Sequence, residues 1–133
     1  MSIYNYKVGL GHVGSYEVSG IPYLTSSLDI PANTSEPLEI SFDTVSKFVV
    51  ITNTLPAGAA NVPLRFGFSA NGIKGTNYAV LNNNETFEGD FRVTRIYLLS
   101  DSTLPCSASV VAGLTGIEAK ELLNNWSGSA GVG

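Results

Sequence analysis

Leu38-Glu39-Ile40-Ser41-Phe42-Asp43 carries an apolar side chain at every second position, and Leu64-Arg65-Phe66-Gly67-Phe68-Ser69 begins the same way. A period of two is that of a β-strand with one face buried, because successive side chains point to opposite sides of a sheet. Both stretches therefore read as half-buried strands. Between them, Phe48-Val49-Val50-Ile51 is an unbroken β-branched and aromatic run, the pattern of a central strand covered on both faces.

Outward from this segment the same character recurs at Tyr23–Ile30, Tyr78–Leu81, Thr86–Phe91, Val93–Leu99 and Ser107–Leu114. The joints carry turn chemistry: Pro31–Pro37, Leu55–Pro63, Asn71-Gly72 with Gly75 after it, Asn82–Asn84 and Asp101–Pro105. Asn71-Gly72 is the strongest hairpin signal among them. About eight short strands at even spacing, with no long helical pattern between them, predict an all-β fold, an antiparallel β-sandwich of the jelly-roll or Greek-key kind. Helical composition is confined to Gly116–Asn125, so at most one short C-terminal helix is expected. The expected organisation is an extended glycine-rich N-terminal arm over 1–22, a sandwich domain over 23–115, and the short helix with a glycine- and serine-rich tail over 116–133.

The 133-residue chain suits one domain, since a chain this long can bury roughly two thirds of its unfolded surface. Its single cysteine, Cys106, cannot form an intrachain bridge, so stability has to come from packing or from partner chains. Charged residues make up 14% of the chain while Ser, Thr and Asn number 36. Such a surface repels neighbours weakly and hydrogen-bonds readily, as suits a chain held in a permanent assembly. A net charge of −4 with seven scattered Lys and Arg residues argues against nucleic-acid partners. The N-terminal MSIYNYKVGLG lacks the apolar core of a signal peptide, and no run approaches a membrane span, so synthesis and retention in a cytoplasm-like setting are expected.

Motifs that could carry chemistry fail on context. Gly9-Leu10-Gly11-His12-Val13-Gly14 fits G-x-G-x-x-G. However, the dinucleotide helix that should follow would start at Ser15-Tyr16-Glu17-Val18-Ser19-Gly20-Ile21-Pro22, which holds two helix breakers and opens no βαβ unit. His12 is the only histidine, no nucleophile signature accompanies it or Cys106, and the two together fall short of a zinc ligand set. Asn82–Glu85 with Glu88 and Asp90 lacks calcium-loop spacing, and alternation puts Glu88 and Asp90 on one solvated side of a strand. The sequons at Asn33, Asn84 and Asn125 count for little without a secretory signal. No enzyme, cofactor or metal site is expected. Tyr4, Tyr6, Tyr16 and Tyr23 cluster near the N-terminus, where aromatic rings make good contact anchors. A carbohydrate-binding jelly roll would instead use exposed rings such as Tyr78, Tyr97 or Trp126 as sugar platforms.

The N-terminal stretch from Tyr4 to Thr25, YNYKVGLGHVGSYEVSGIPYLT, and the tail from Asn124 to Gly133, NNWSGSAGVG, resemble the small virion structural proteins of cyanophages and other marine tailed bacteriophages. This resemblance rests on the two ends, about a quarter of the chain, and is only general in the middle. It implies a particle component, foremost a capsid decoration or cement protein on the phage head. Its partners would be the major capsid protein and copies of itself, often as a homotrimer, with no nucleic acid and no membrane. A tail, neck or fibre component is the alternative. The candidate interface residues are Tyr4, Tyr6, Leu10, Val13, Tyr16, Trp126 and Val132.

Overall fold

The computed structural model describes residues 21–55, 60–119 and 132. Within them eight strands run in order: β1 (Ile21–Ile30), β2 (Leu38–Ser41), β3 (Thr44–Asn53), β4 (Leu64–Gly67), β5 (Ala79–Leu81), β6 (Thr86–Gly89), β7 (Arg95–Ser100) and β8 (Cys106–Glu118). One helical turn, α1 (Ala70–Lys74), lies between β4 and β5. The strands form two four-stranded sheets, β1-β8-β3-β6 and β2-β7-β4-β5, with every neighbouring pair antiparallel. The chain is all-β, as its period-two patterning predicts.

Alternation decides which side chains meet between the sheets. From β8, Cys106, Ala108, Val110, Ala112 and Leu114 face inward. They meet Val49 and Ile51 of β3, Ile40 of β2, Leu64 and Phe66 of β4, and Ile96 and Leu98 of β7. Phe48-Val49-Val50-Ile51 lies inside a sheet, paired with β6 on one side and β8 on the other. Its outward members Phe48 and Val50 are only half-buried, so the expected cover on both faces is partial.

Leu99 points away from the other sheet yet has 0% exposure, as does Ile73 of α1. The helical turn packs across the outer face of β4 and β7 and removes both side chains from water, a gain of about 2 kcal/mol for each. Arg65, also on this outer face, fastens the arrangement. Its Nε donates to Asp101 Oδ1 at 2.6 Å, its terminal nitrogen donates to the Ile73 carbonyl at 3.2 Å, and its guanidinium lies 4.3 Å from the Tyr78 ring centre.

Two expectations need correction. Asn71-Gly72 sits in the β4–β5 connection but is no two-residue hairpin turn; it belongs to α1. Ser69 caps that turn, its Oγ accepting from the Gly72 N–H at 3.3 Å, and the Ser69 carbonyl accepts from Ile73 N–H. The turn is helical because burying Ile73 on the sheet needs a longer connection than two residues allow. The expected helix over Gly116–Asn125 loses its first three residues to β8. Ile117 is fully buried, Thr115 Oγ1 donates to the Val45 carbonyl at 2.7 Å, and Glu118 pairs with Thr44. Glycine and β-branched Ile117 are weaker helix formers than the residues after them, and burial of Ile117 draws them into the strand. Residues 120–125 lie outside the described residues. The divisions at 22 and 116 also fall inside strands, because Ile21 pairs with Leu114 and β8 continues to Glu118.

Candidate functional site

Two features of the sandwich could recognise a partner. The first is an aromatic cleft at the side bounded by β5 and β6, the edge strands of the two sheets. The turn joining them is short because Asn84 adopts a left-handed φ of 63°. Glu85 Oε1 accepts from the Asn82 N–H at 2.6 Å, so this carboxylate closes a turn. Phe66 of β4 meets Phe87 of β6 with ring centres 4.6 Å apart; Phe91 stacks with Phe87 at 5.9 Å and meets Phe68 at 5.1 Å. Glycine is needed between two of these rings: a Cβ on Gly89 would come within 2.6 Å of Phe91 and 2.8 Å of Phe87.

The cleft has a volume of about 400 Å³ and is completed by Thr76, Asn77, Tyr78 and Ala79. Its lining carries no carboxylate, imidazole, amine or thiol. Such a surface can stack against a flat or apolar group and hydrogen-bond it through Thr76 or Asn77, but it offers no acid–base pair. Tyr78 is the one sequence-predicted sugar platform at the cleft, and the Arg65 guanidinium already covers one face of its ring. Tyr97 lies on β7 between Glu39 and Gly67, where its hydrogen bond holds the Arg95 guanidinium above its usual pKa.

The second feature is the outer face of the β1-β8-β3-β6 sheet. Register aligns Leu24 of β1 with Val111 of β8, Val111 with Val50 of β3, and Val50 with Glu88 of β6. Val111 lies between Val110 and Ala112, which face the core, so this row faces away from it. Leu24 is 73% exposed and Val111 38%. Beside them, Pro22, Gly113 and Phe48 form a second row. A shallow groove of about 300 Å³ runs between β1 and β8, lined by Leu24, Thr25, Ser26, Ser109 and Val111. Such a row on a sheet is a candidate contact surface.

Among the sequence-predicted interface residues, Tyr4, Tyr6, Leu10, Val13, Tyr16 and Trp126 lie outside the described residues, as do His12 and the glycine motif. Val132 is described, and it stands against the chain's own domain: a Cβ at Gly72 would run into its carbonyl oxygen, and would sit 3.2 Å from Asn77 Cβ at the rim of the aromatic cleft. Cys106 is buried, and burial pushes its thiol up to about 11 against the opposing hydrogen bond from Ser100, which keeps it protonated at neutral pH. Among the described residues no three His, Cys, Asp or Glu side chains gather where a metal ion could sit.

Sequence reasoning missed both surfaces. The cleft joins four phenylalanines from two segments distant in sequence, Phe66 and Phe68 with Phe87 and Phe91, and nothing beside Leu24 or Val111 in the sequence marks them as facing outward. No protein-family model matches the chain, and neither does any curated protein or solved structure.

Proposed function

We propose that this chain is a non-enzymatic structural protein of a virus particle, a capsid decoration or cement protein that binds between major capsid subunits and stabilises the head. The observation that carries the reading is the apolar row Leu24–Val111–Val50 on the outside of the sheet. It gives the sandwich a partly apolar outer face of the kind that becomes buried between subunits.

The topology supports the same reading. Strands pair as β1 with β8, β2 with β7, β3 with β6 and β4 with β5, the pattern produced by rolling up one long eight-stranded hairpin. This order supports reading the sandwich as a jelly roll, a fold used by viral capsid domains and by lectins. Fold alone does not assign function. The resemblance of both chain ends to phage virion proteins adds the particle context. A decoration protein acts by mass action: it binds the assembled shell and not the dispersed subunits, so each buried contact favours the closed particle. Synthesis would be in the host cytoplasm, with residence on the head surface.

Quantitative mass spectrometry and cryo-electron microscopy of purified particles test the reading. Hundreds of copies at capsomer junctions are expected. A few to tens of copies confined to the portal vertex or tail would move the protein to a neck, tail or fibre role, and absence from particles would overturn a virion role altogether.

The aromatic cleft favours a second reading, a carbohydrate-binding jelly roll in which Phe91 and Tyr78 present rings to a sugar and Asn77 supplies a hydrogen-bonding side chain. Binding on a glycan array that is lost in both Tyr78→Ala and Phe91→Ala would favour it over the assembly role.

A further inference from the structure

Gly72 is buried although it belongs to a short helical turn laid on the outside of a sheet. The tail of the chain lies against it. A Cβ at this position would run into the carbonyl oxygen of Val132 and stand 3.0 Å from its carbonyl carbon. Both are main-chain atoms, which cannot swing aside as the tip of a side chain can, so this approach is open to glycine alone.

The turn is not free to retreat. Gly72 N–H donates to Ser69 Oγ at 3.3 Å, and the Gly72 carbonyl accepts from Gly75 N–H at 3.2 Å and from Asn77 N–H at 2.9 Å. Ile73, next in the chain, has no exposed surface, and its carbonyl is held by Arg65 at 3.2 Å. A side chain added at position 72 would therefore displace the tail and not the turn. Asn77, whose Cβ lies 3.2 Å from where a Gly72 Cβ would stand, also lines the aromatic cleft. Seat and cleft share this residue. The tail suits such a contact: after Trp126 it reads Ser127-Gly128-Ser129-Ala130-Gly131-Val132-Gly133, small residues that let backbone meet backbone, with Val132 the one branched aliphatic side chain.

We propose that the tail around Val132 is a strap seated on Gly72 of its own domain, and that the seated strap restricts the Asn77 rim of the aromatic cleft. The inference goes beyond the particle reading and does not depend on it. The contact is autoinhibitory: a flat or apolar group that enters the cleft and hydrogen-bonds Asn77 competes with the strap at that rim. Release of the strap favours the ligand, and by linkage the ligand favours release of the strap to the same degree. Only the seat needs a glycine, so the device can be switched off at one position without touching the rings.

The test uses the full chain and two variants, one on each side of the contact: Gly72→Ala, which fills the seat, and Val132→Asp, which puts a charge on the strap. Nitrogen-15 relaxation reads the Val132 amide on the picosecond-to-nanosecond scale, and titration with N-phenyl-1-naphthylamine, a neutral aromatic dye, reads the cleft. In the parent the Val132 amide should be as rigid as those of the strands at every protein concentration. Each variant should leave it mobile, keep the Ile73 amide rigid, and bind the dye at least about five-fold more tightly than the parent, the lower end of ordinary coupling between sites. A mobile Val132 amide in the parent, or a rigid one in Gly72→Ala, overturns the seat. Rigidity that appears only as concentration rises means that the seat takes the tail of a second copy, and overturns the own-domain strap. Equal dye affinity in all three chains, or no dye binding to any of them, overturns the restriction of the cleft. Should far-UV circular dichroism show Gly72→Ala misfolded, Val132→Asp decides by the same readings.

Discussion

Asn53 ends β3 with no exposed surface, and every polar atom it has is used. Its Nδ2 donates to the Val62 carbonyl at 3.0 Å and the Leu81 carbonyl at 3.2 Å, and its Oδ1 accepts from the Leu55 N–H at 3.1 Å. Its backbone bonds to Glu85 and Asn84 tie in the β5–β6 turn. The side chain thus holds the loop after β3 and the end of β5, while the backbone of the same residue holds the turn that closes the aromatic cleft. Asn53→Leu keeps the number and branching of heavy atoms but leaves the Val62 and Leu81 carbonyls and the Leu55 N–H without partners, at about 1–3 kcal/mol each where they stay dry. The expected loss is about 4 kcal/mol, read as a fall in the urea midpoint at unchanged slope; a loss under about 1 kcal/mol would mean that water replaces the amide. Cys106 carries a different residue-scale consequence. Its folded thiol titrates near 11 and the unfolded one near 9. The stability this contributes is complete below pH 9, where both states keep the proton, and is lost as pH rises through 11, where the folded state must also ionise. Native protein at pH 8 should not react with a disulfide reagent, urea-unfolded protein should, and Cys106→Ala should show a shallower fall in Tm between pH 9 and 11 than the parent chain.

At the scale of elements, the strands were legible in sequence because a half-buried strand writes its burial into alternate positions. Leu38, Ile40 and Phe42, or Leu64 and Phe66, can be read in that way without any partner. Direction was harder to read. Tyr23, Leu28 and Ile30 all face the core, which strict alternation forbids, and only the bulge between Thr25 and Leu28 changes the phase so that Leu24 faces out while Leu28 faces in. A bulge has no fixed sequence signature in Thr25-Ser26-Ser27, so the apolar outer row could not be anticipated. Asn71-Gly72 failed for another reason. Its turn chemistry is real, but the outer face of β4 and β7 exposes Leu99, and covering it with Ile73 decides the backbone. The 116–118 segment repeats the lesson with opposite sign, since Gly116, Ile117 and Glu118, read together with the helix formers after them, belong to a strand whose partner, Thr44, lies far away in sequence. The candidate cleft was illegible for the same physical reason, because its rings meet only after both sheets have formed.

For the whole molecule, the nested pairing makes the first and last strands neighbours, so the fold closes only when β8 inserts between β1 and β3. β8 contributes Cys106, Ala108, Val110, Ala112 and Leu114 to the core and pairs along both its edges. A chain ending at Pro105 would lose five core side chains and leave β1 and β3 unpaired toward each other; no rearrangement of the remaining strands restores that burial. It should have no cooperative urea transition and no near-ultraviolet circular dichroism. A chain ending at Ala119 keeps every strand pair and core contact described, and loses among the described residues only the approach of Val132 to Gly72. It should keep the parent's spectrum and a cooperative urea transition. Because β1 and β8 must meet across most of the chain, both the parent and this shorter chain should fold on the millisecond-to-second scale of non-local β proteins. If the Ala119 chain instead unfolded with the Pro105 chain, the tail would be part of the core, and the division of this molecule into a self-sufficient body with attached ends would be wrong.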